Sequence, residues 1–174
     1  MICPERRGIK VKIEELFGAA GLKSVGKSSW KLIARTIDQR LNEPGVYVAV
    51  IGHQYEGLPL CTGKFDEIIH AEFEKTLWIR NETVLYIGQT TKQTLKKRIN
   101  QFINHKYGNR SPHKGGQSIH LLNYEPVIYW SPAGSPKIAE AKMLLAFMKE
   151  HGGRLPYANR DFPSRRVLLS SLEP

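Results

Sequence analysis

The sequence predicts an α/β fold: a small, mainly antiparallel sheet of three strands or slightly more, flanked by helices. Three observations predict it. Two short runs, Gly45-Val46-Tyr47-Val48-Ala49-Val50-Ile51 and Thr83-Val84-Leu85-Tyr86-Ile87-Gly88, are rich in β-branched and aromatic residues and bounded by Pro, Gly or Asn, which is how strands read. Leu95, Ile99, Phe102 and Ile103 recur at offsets of four, seven and eight, the stripe of an amphipathic helix. Ser135-Pro136 opens another helix, with serine as N-cap and proline in the first position.

Taken in order, residues 1–10 are polar and expected to be loose, and Val11 to Ala20 read as a short helix ending at Gly21. Ser28-Ser29 offers an N-cap. Trp30, Ile33, Ala34, Ile37 and Leu41 then repeat at helical spacing up to Pro44. Residues 1–43 are therefore a helical extension, and its apolar stripe favours packing on the sheet over contact with substrate. The main domain is expected over 44–174, with the first strand at about 45–51. An insertion of about 52–82 follows, with a short helix near Asp66 to Glu74, a strand-like Thr76 to Arg80 and a turn at Arg80-Asn81-Glu82. It is either decoration on longer strands or a place for binding specificity. The striped helix is expected over 92–107, with a turn-rich stretch at 108–116 and a helical turn or two at Gln117 to Leu122. Pro126 to Trp130 read as the third strand, and the Ser135-Pro136 helix runs to about Glu150, stopping at Gly152-Gly153. Val167 to Leu172 is a last strand or helical turn.

An apolar fraction of 41% over 174 residues is enough for one core, so a disordered chain is not expected. The net charge of +10 favours a polyanionic partner over a merely solubilising surface. Its distribution strengthens that preference: from Thr83 to Gly116 there are seven basic residues and no Asp or Glu. Lys92, Lys96, Lys97, Lys106, Arg110, His113 and Lys114 are the candidate contacts to a phosphate backbone. The two cysteines, Cys3 and Cys61, form no disulfide or zinc pattern and fit a reducing compartment. With no long apolar run and no signal-peptide core, a cytoplasmic protein with no membrane span is expected.

Four residue types stand out for chemistry. Glu140 lies on a helix that is apolar nearly all round. A carboxylate near a core needs a cation, whether a metal or an arginine. Arg98 either presents a guanidinium to a phosphate or is one more basic group on a wet face. At 100° per residue, His105 falls on the Arg98 flank of its helix, with Thr94 and Gln101. Tyr47 and Tyr86 on adjacent strands are either core aromatics or hydroxyl donors to a site. A free tyrosine, with its pKa near 10, is a weak base.

These parts, in this order, resemble the GIY-YIG nuclease domain over roughly residues 44 to 160. Gly45-Val46-Tyr47 and Tyr86-Ile87-Gly88 resemble its two tripeptides; Arg98, Glu140 and Asn159 stand where the family has its helix arginine, its glutamate and its asparagine. The resemblance implies a DNA endonuclease that hydrolyses phosphodiester bonds with one Mg²⁺ or Mn²⁺ ion, acting on DNA that is most naturally double-stranded. It implies that Glu140 holds the metal, that Arg98 steadies the added negative charge, that Tyr47 or His105 assists the attacking water, and that Tyr86 binds phosphate or braces Tyr47. It also implies that Asn159 fixes the backbone of the site, a role for which a simple turn residue is the alternative.

The chain departs from the family pattern in places. The 38 residues between the two tyrosines exceed the family's usual gap. Phe102 stands where a His or Tyr is common, so His105 and then His113 are the substitutes, although either could be exposed and idle. Gln89 replaces the lysine that often follows the second tripeptide, leaving Lys92 or Lys96 to supply the charge. These departures keep two alternatives open: a nucleic-acid-binding module of the same fold without catalysis, and an RNA-binding or RNA-processing protein. No two-metal carboxylate cluster, P-loop or dinucleotide fingerprint is visible.

Overall fold

Every residue of Gly45–Val50 is buried, as expected of a strand covered on both faces. A computed structural model describes residues 4–60, 71–105, 114–162 and 167. Its helices are α1 (Pro4–Ala19), α2 (Ala71–Leu77), α3 (Leu95–Ile103), α4 (Lys114–Ile119) and α5 (Pro136–Glu150). Its strands are β1 (Gly26–Ser29), β2 (Gly45–Val50), β3 (Val84–Thr90) and β4 (Val127–Pro132). They form one four-stranded sheet in the order β1-β4-β2-β3. All three pairings are antiparallel.

Strand alternation sends successive side chains to opposite faces. Tyr47, Ala49, Leu85, Ile128 and Trp130 pack on one face with Leu95, Ile99 and Phe102 of α3. Val46, Val48, Val50, Val84 and Ile87 pack on the other with Ile13, Leu16 and Phe17 of α1 and Met143, Leu144 and Phe147 of α5. The sheet is therefore the middle layer of three.

The N-terminal segment differs from the expected helical extension. α1 begins at Pro4 rather than Val11 and ends before Gly21, which has φ +73°. Ser28 and Ser29 end β1, which pairs with β4, and the single helix expected after Ser29 is replaced by two short 3-10 turns over Trp30–Arg35 and Gln39–Asn42. Asp38 separates the turns. Its carboxylate accepts from the Arg40 backbone N–H at 3.0 Å, from the Arg40 side chain and, at 3.2 Å, from the Trp130 indole N–H. A local side-chain partner of this kind competes with continued helix.

Elsewhere the boundaries move modestly. α3 is shorter than 92–107: Thr94 caps it by accepting the Lys97 N–H, and Asn104 closes it by donating its side-chain amide to the Asn100 carbonyl. Helix α2 covers the C-terminal part of the expected insertion helix, and 76–80 is not a strand. The turn before β3 is present, with Asn81 at φ 59°. α5 runs from Pro136 to Glu150, and Gly152 and Gly153 follow it with positive φ. Of the expected element at 167–172 only Val167 is described.

Candidate active site

The two tyrosines meet because of register. Tyr47 of β2 lies opposite Gly88 of β3, and Ala49 lies opposite Tyr86, so the phenols are diagonal neighbours on the α3 face. Their ring centroids are 5.8 Å apart, and the hydroxyls are hydrogen-bonded to each other. The glycines of both tripeptides have packing reasons. A Cβ on Gly88 would come within 2.3 Å of the Tyr86 ring, so glycine is what lets that ring fold over the strand. A Cβ on Gly45 would come within 2.2 Å of the Ser131 carbonyl oxygen.

Phe102 walls this pair from α3. It stacks on Tyr86 at 4.9 Å and meets Tyr47 edge-on at 5.7 Å. Tyr47 is completely buried, whereas Tyr86 is partly exposed. Tyr86 is thus the less enclosed of the two residues.

Arg98 and Glu140 join the phenols electrostatically. Burial raises the Tyr47 pKa well above the usual phenol value, and the Tyr86 and Glu140 charges push the same way while Arg98 opposes them. The Tyr86 pKa is also raised, by burial first and by the Glu140 charge second, again opposed by Arg98. Burial, opposed in part by the Arg98 guanidinium, raises Glu140 from 4.5 to about 7. The charges of Arg98 and Glu140 therefore both act on the two phenols, and Arg98 acts on Glu140. This happens although α5 packs with α1 on the opposite face of the sheet from α3.

Asn159 bonds the strand backbone at two points. Its side-chain oxygen accepts the Ile87 N–H at 2.9 Å, and its amide nitrogen donates to the Ile87 carbonyl at 2.8 Å. Next to it, the Ala158 N–H donates to the Leu85 carbonyl at 2.8 Å. The 156–159 turn thus serves as a short outer rung on β3, beside Tyr86.

His105 is placed differently from the helical wheel. α3 ends at Ile103, so the seven-residue spacing no longer sets it on the Arg98 face. It is buried, 2% exposed, with its ring 3.2 Å from the Gln117 side chain. Among the candidate phosphate contacts, Lys92 and Lys97 are exposed, and Lys96 is partly buried with Nζ 3.4 Å from the Thr36 carbonyl. Lys114 opens α4, while Lys106, Arg110 and His113 lie outside the described residues.

The sequence reading passed over a row of amides. Arg98 donates to the Gln101 side-chain oxygen at 3.4 Å. Asn100, Gln101 and Asn104 continue from Arg98 around the outer side of α3, joined by Asn42 from the second 3-10 turn. The available signal was the spacing of Lys97, Asn100, Gln101 and Asn104, which puts one polar face at helical period.

Among the described residues, no group of three or more His, Cys, Asp and Glu side chains could hold a metal ion. Glu140 is the single carboxylate within the four-residue cluster. Comparison of the chain with protein-family models, with curated proteins and with solved structures gave no match.

Proposed function

We propose that the chain is a metal-dependent DNA endonuclease of the GIY-YIG type. The observation that carries the reading is the convergence of Tyr47, Tyr86, Arg98 and Glu140, four residues named from sequence order, into one electrostatically coupled cluster.

The donor set suits one hard divalent cation. A half-buried carboxyl with its pKa raised to about 7 gains by ionising against a cation. One carboxylate, with waters and a substrate phosphate, is how Mg²⁺ is commonly held. Glu140 would hold it, and when bound it would supply charge neutralisation at the leaving 3′ oxygen.

The residues of the chain do the rest. Water attacks phosphorus in line, a P–O bond to water forms as its proton passes to bulk solvent, and the bond to the 3′ oxygen breaks, the oxygen taking up a proton from solvent. Arg98 faces the charge that accumulates on the phosphoryl oxygens; a single donor of this kind is typically worth ~2.7–4 kcal/mol. With both phenol pKa values raised, the tyrosines work as neutral hydrogen-bonding groups. Tyr86, the partly exposed one, orients the water or a phosphoryl oxygen. Tyr47 holds Tyr86 in place through the shared hydrogen bond. Phe102 excludes water from behind the pair, and Asn159 fixes the strand that carries Tyr86.

Incubation of supercoiled plasmid with the protein and Mg²⁺ tests the reading. Native protein should nick it, EDTA should stop the reaction, and Glu140→Ala should slow it about 10³-fold. Binding by the native protein without nicking would instead establish the non-catalytic binding module, the reading that Phe102 favours because a phenyl ring carries no proton. Cleavage of RNA in preference to DNA of the same sequence would establish the RNA-processing alternative.

A further inference from the structure

Beside the tyrosine pair, the outer side of α3 forms a trough. A hollow of about 650 Å³ is lined by Asn42, Thr94, Lys97, Asn100, Gln101 and Asn104, with Lys96 on its wall. A second hollow of about 360 Å³, lined by Pro44, Lys92, Gln93 and neighbouring threonines, shares Thr94 and Lys97 with the first. The two therefore adjoin at these residues. No lining side chain in either is acidic, and Glu43, which lies between Asn42 and Pro44 in sequence, lines neither hollow. Gln101 connects the trough to Arg98 by its hydrogen bond.

The chemistry of this lining is mixed. Lysines supply charge without base preference, because phosphate looks the same at every nucleotide. Carboxamides differ: each presents a donor and an acceptor side by side, which matches the N6 and N7 edge of adenine in the major groove. Gln101 already bonds Arg98 and Asn104 the Asn100 carbonyl, so Asn42 and Asn100 are the amides offered to a base edge. Gln101 of its lining also bonds the guanidinium that would meet the scissile phosphate.

We infer that the trough formed by Asn42 and the outer face of α3 reads base edges of duplex DNA next to the cleavage position, with Lys96 and Lys97 taking the flanking phosphates. This rests on the nuclease reading for its substrate, but it adds sequence discrimination by named side chains.

The test separates the two. Binding is measured in full-length Glu140→Ala protein, which keeps the trough and removes cleavage, against a randomised duplex pool and against RNA of matched sequence. Asn100→Ala and Asn42→Ala should each flatten the preference at one or two positions by about tenfold, with little loss on the remaining sequences. Lys97→Ala should weaken all sequences alike and lower the salt dependence by roughly one counterion. Melting curves confirm that the variants are folded; Asn100→Gln, which keeps the amide, controls for packing. Flat preferences in the parent protein, amide variants that leave the preference intact, or tighter binding to RNA would each overturn the inference. If preferences change as stated while native protein fails to nick plasmid, the trough stands and the nuclease reading falls. If plasmid is nicked while the amide variants bind like the parent, the reverse holds.

Discussion

Two glutamates border the same sheet and have opposite surroundings. Glu82, at the start of β3, is 6% exposed and closely partnered. One oxygen accepts the Thr83 and Val84 N–H groups at 2.7 Å each; the other takes Lys12 of α1 and the His151 ring beyond α5, both at 2.5 Å. His151 also sets its second ring nitrogen 2.7 Å from the Phe147 carbonyl. Glu140 is partly buried too, yet among the described residues no hydrogen bond or ion pair closes on its carboxylate; Arg98 acts on it through its field. The contrast separates a carboxylate that ties elements together from one kept short of a counter-charge. A buried acid with every lone pair satisfied belongs to the architecture. One without such partners is where the proposed cation would sit.

The contrast can be broken in three ways, by effects of decreasing size. Removing a member of a closely bonded buried cluster strands its partners, so Glu82→Ala should cost ~3–5 kcal/mol of stability. Urea denaturation measures this, and plasmid nicking at low temperature should survive in whatever fraction stays folded. A loss under 1 kcal/mol would place Glu82 among ordinary surface ion pairs.

Glu140→Gln should act the other way. The native carboxyl titrates near 7 in the folded chain and near 4.5 unfolded, so the folded state binds the proton more tightly. Stability therefore falls as pH rises through that window, and the full penalty is present above about 7. The glutamine variant escapes it and should exceed native stability by ~1–3 kcal/mol at pH 8, with the gain fading toward pH 4.5. Mg²⁺ should raise the melting temperature of native protein at pH 8 and leave the variant unmoved. Equal stability of the two proteins at pH 8 would remove the basis for a poised carboxyl.

The smallest effect belongs to Asn159→Ala. Losing both bonds to Ile87 should cost ~1–2 kcal/mol and reduce nicking severalfold, because the strand under Tyr86 loses its outer support. Hydrogen exchange at the Ile87 amide reads this locally, and unchanged protection would make Asn159 a turn residue only.

Much of this was legible in the chain. The β2 and β3 strands announce themselves by branched and aromatic residues, and α5 by Ser135-Pro136 and the double glycine after it. Their meeting follows from antiparallel pairing, so Tyr47 and Tyr86 could be placed together before any coordinates. The segment before Pro44 was illegible for a physical reason. Trp30, Ile33 and Leu41 have helical spacing, but their local order is decided by distant partners: the Pro126 carbonyl accepting the Trp30 N–H, and the Trp130 indole reaching Asp38. Tertiary contacts of that range outweigh propensities of a few tenths of a kcal/mol per residue. His105 escaped because α3 ends at Ile103, with Asn104 as its C-cap bonding the Asn100 carbonyl through both backbone and side chain. The unequal exposure of the two phenols depends on how Phe102 and Gly88 frame the Tyr86 ring, which spacing alone does not encode.

Segments on either side of the central stretch extend the sheet at its margins. β1, from before the first tripeptide, hydrogen-bonds along the free side of β4, and the 156–159 turn does the same beside β3. Trimming to the stretch that bears the tyrosines, arginine and glutamate would thus bare both borders at once, and exposed ladders recruit other chains. The smallest autonomous unit is consequently wider than the stretch from Tyr47 to Glu140.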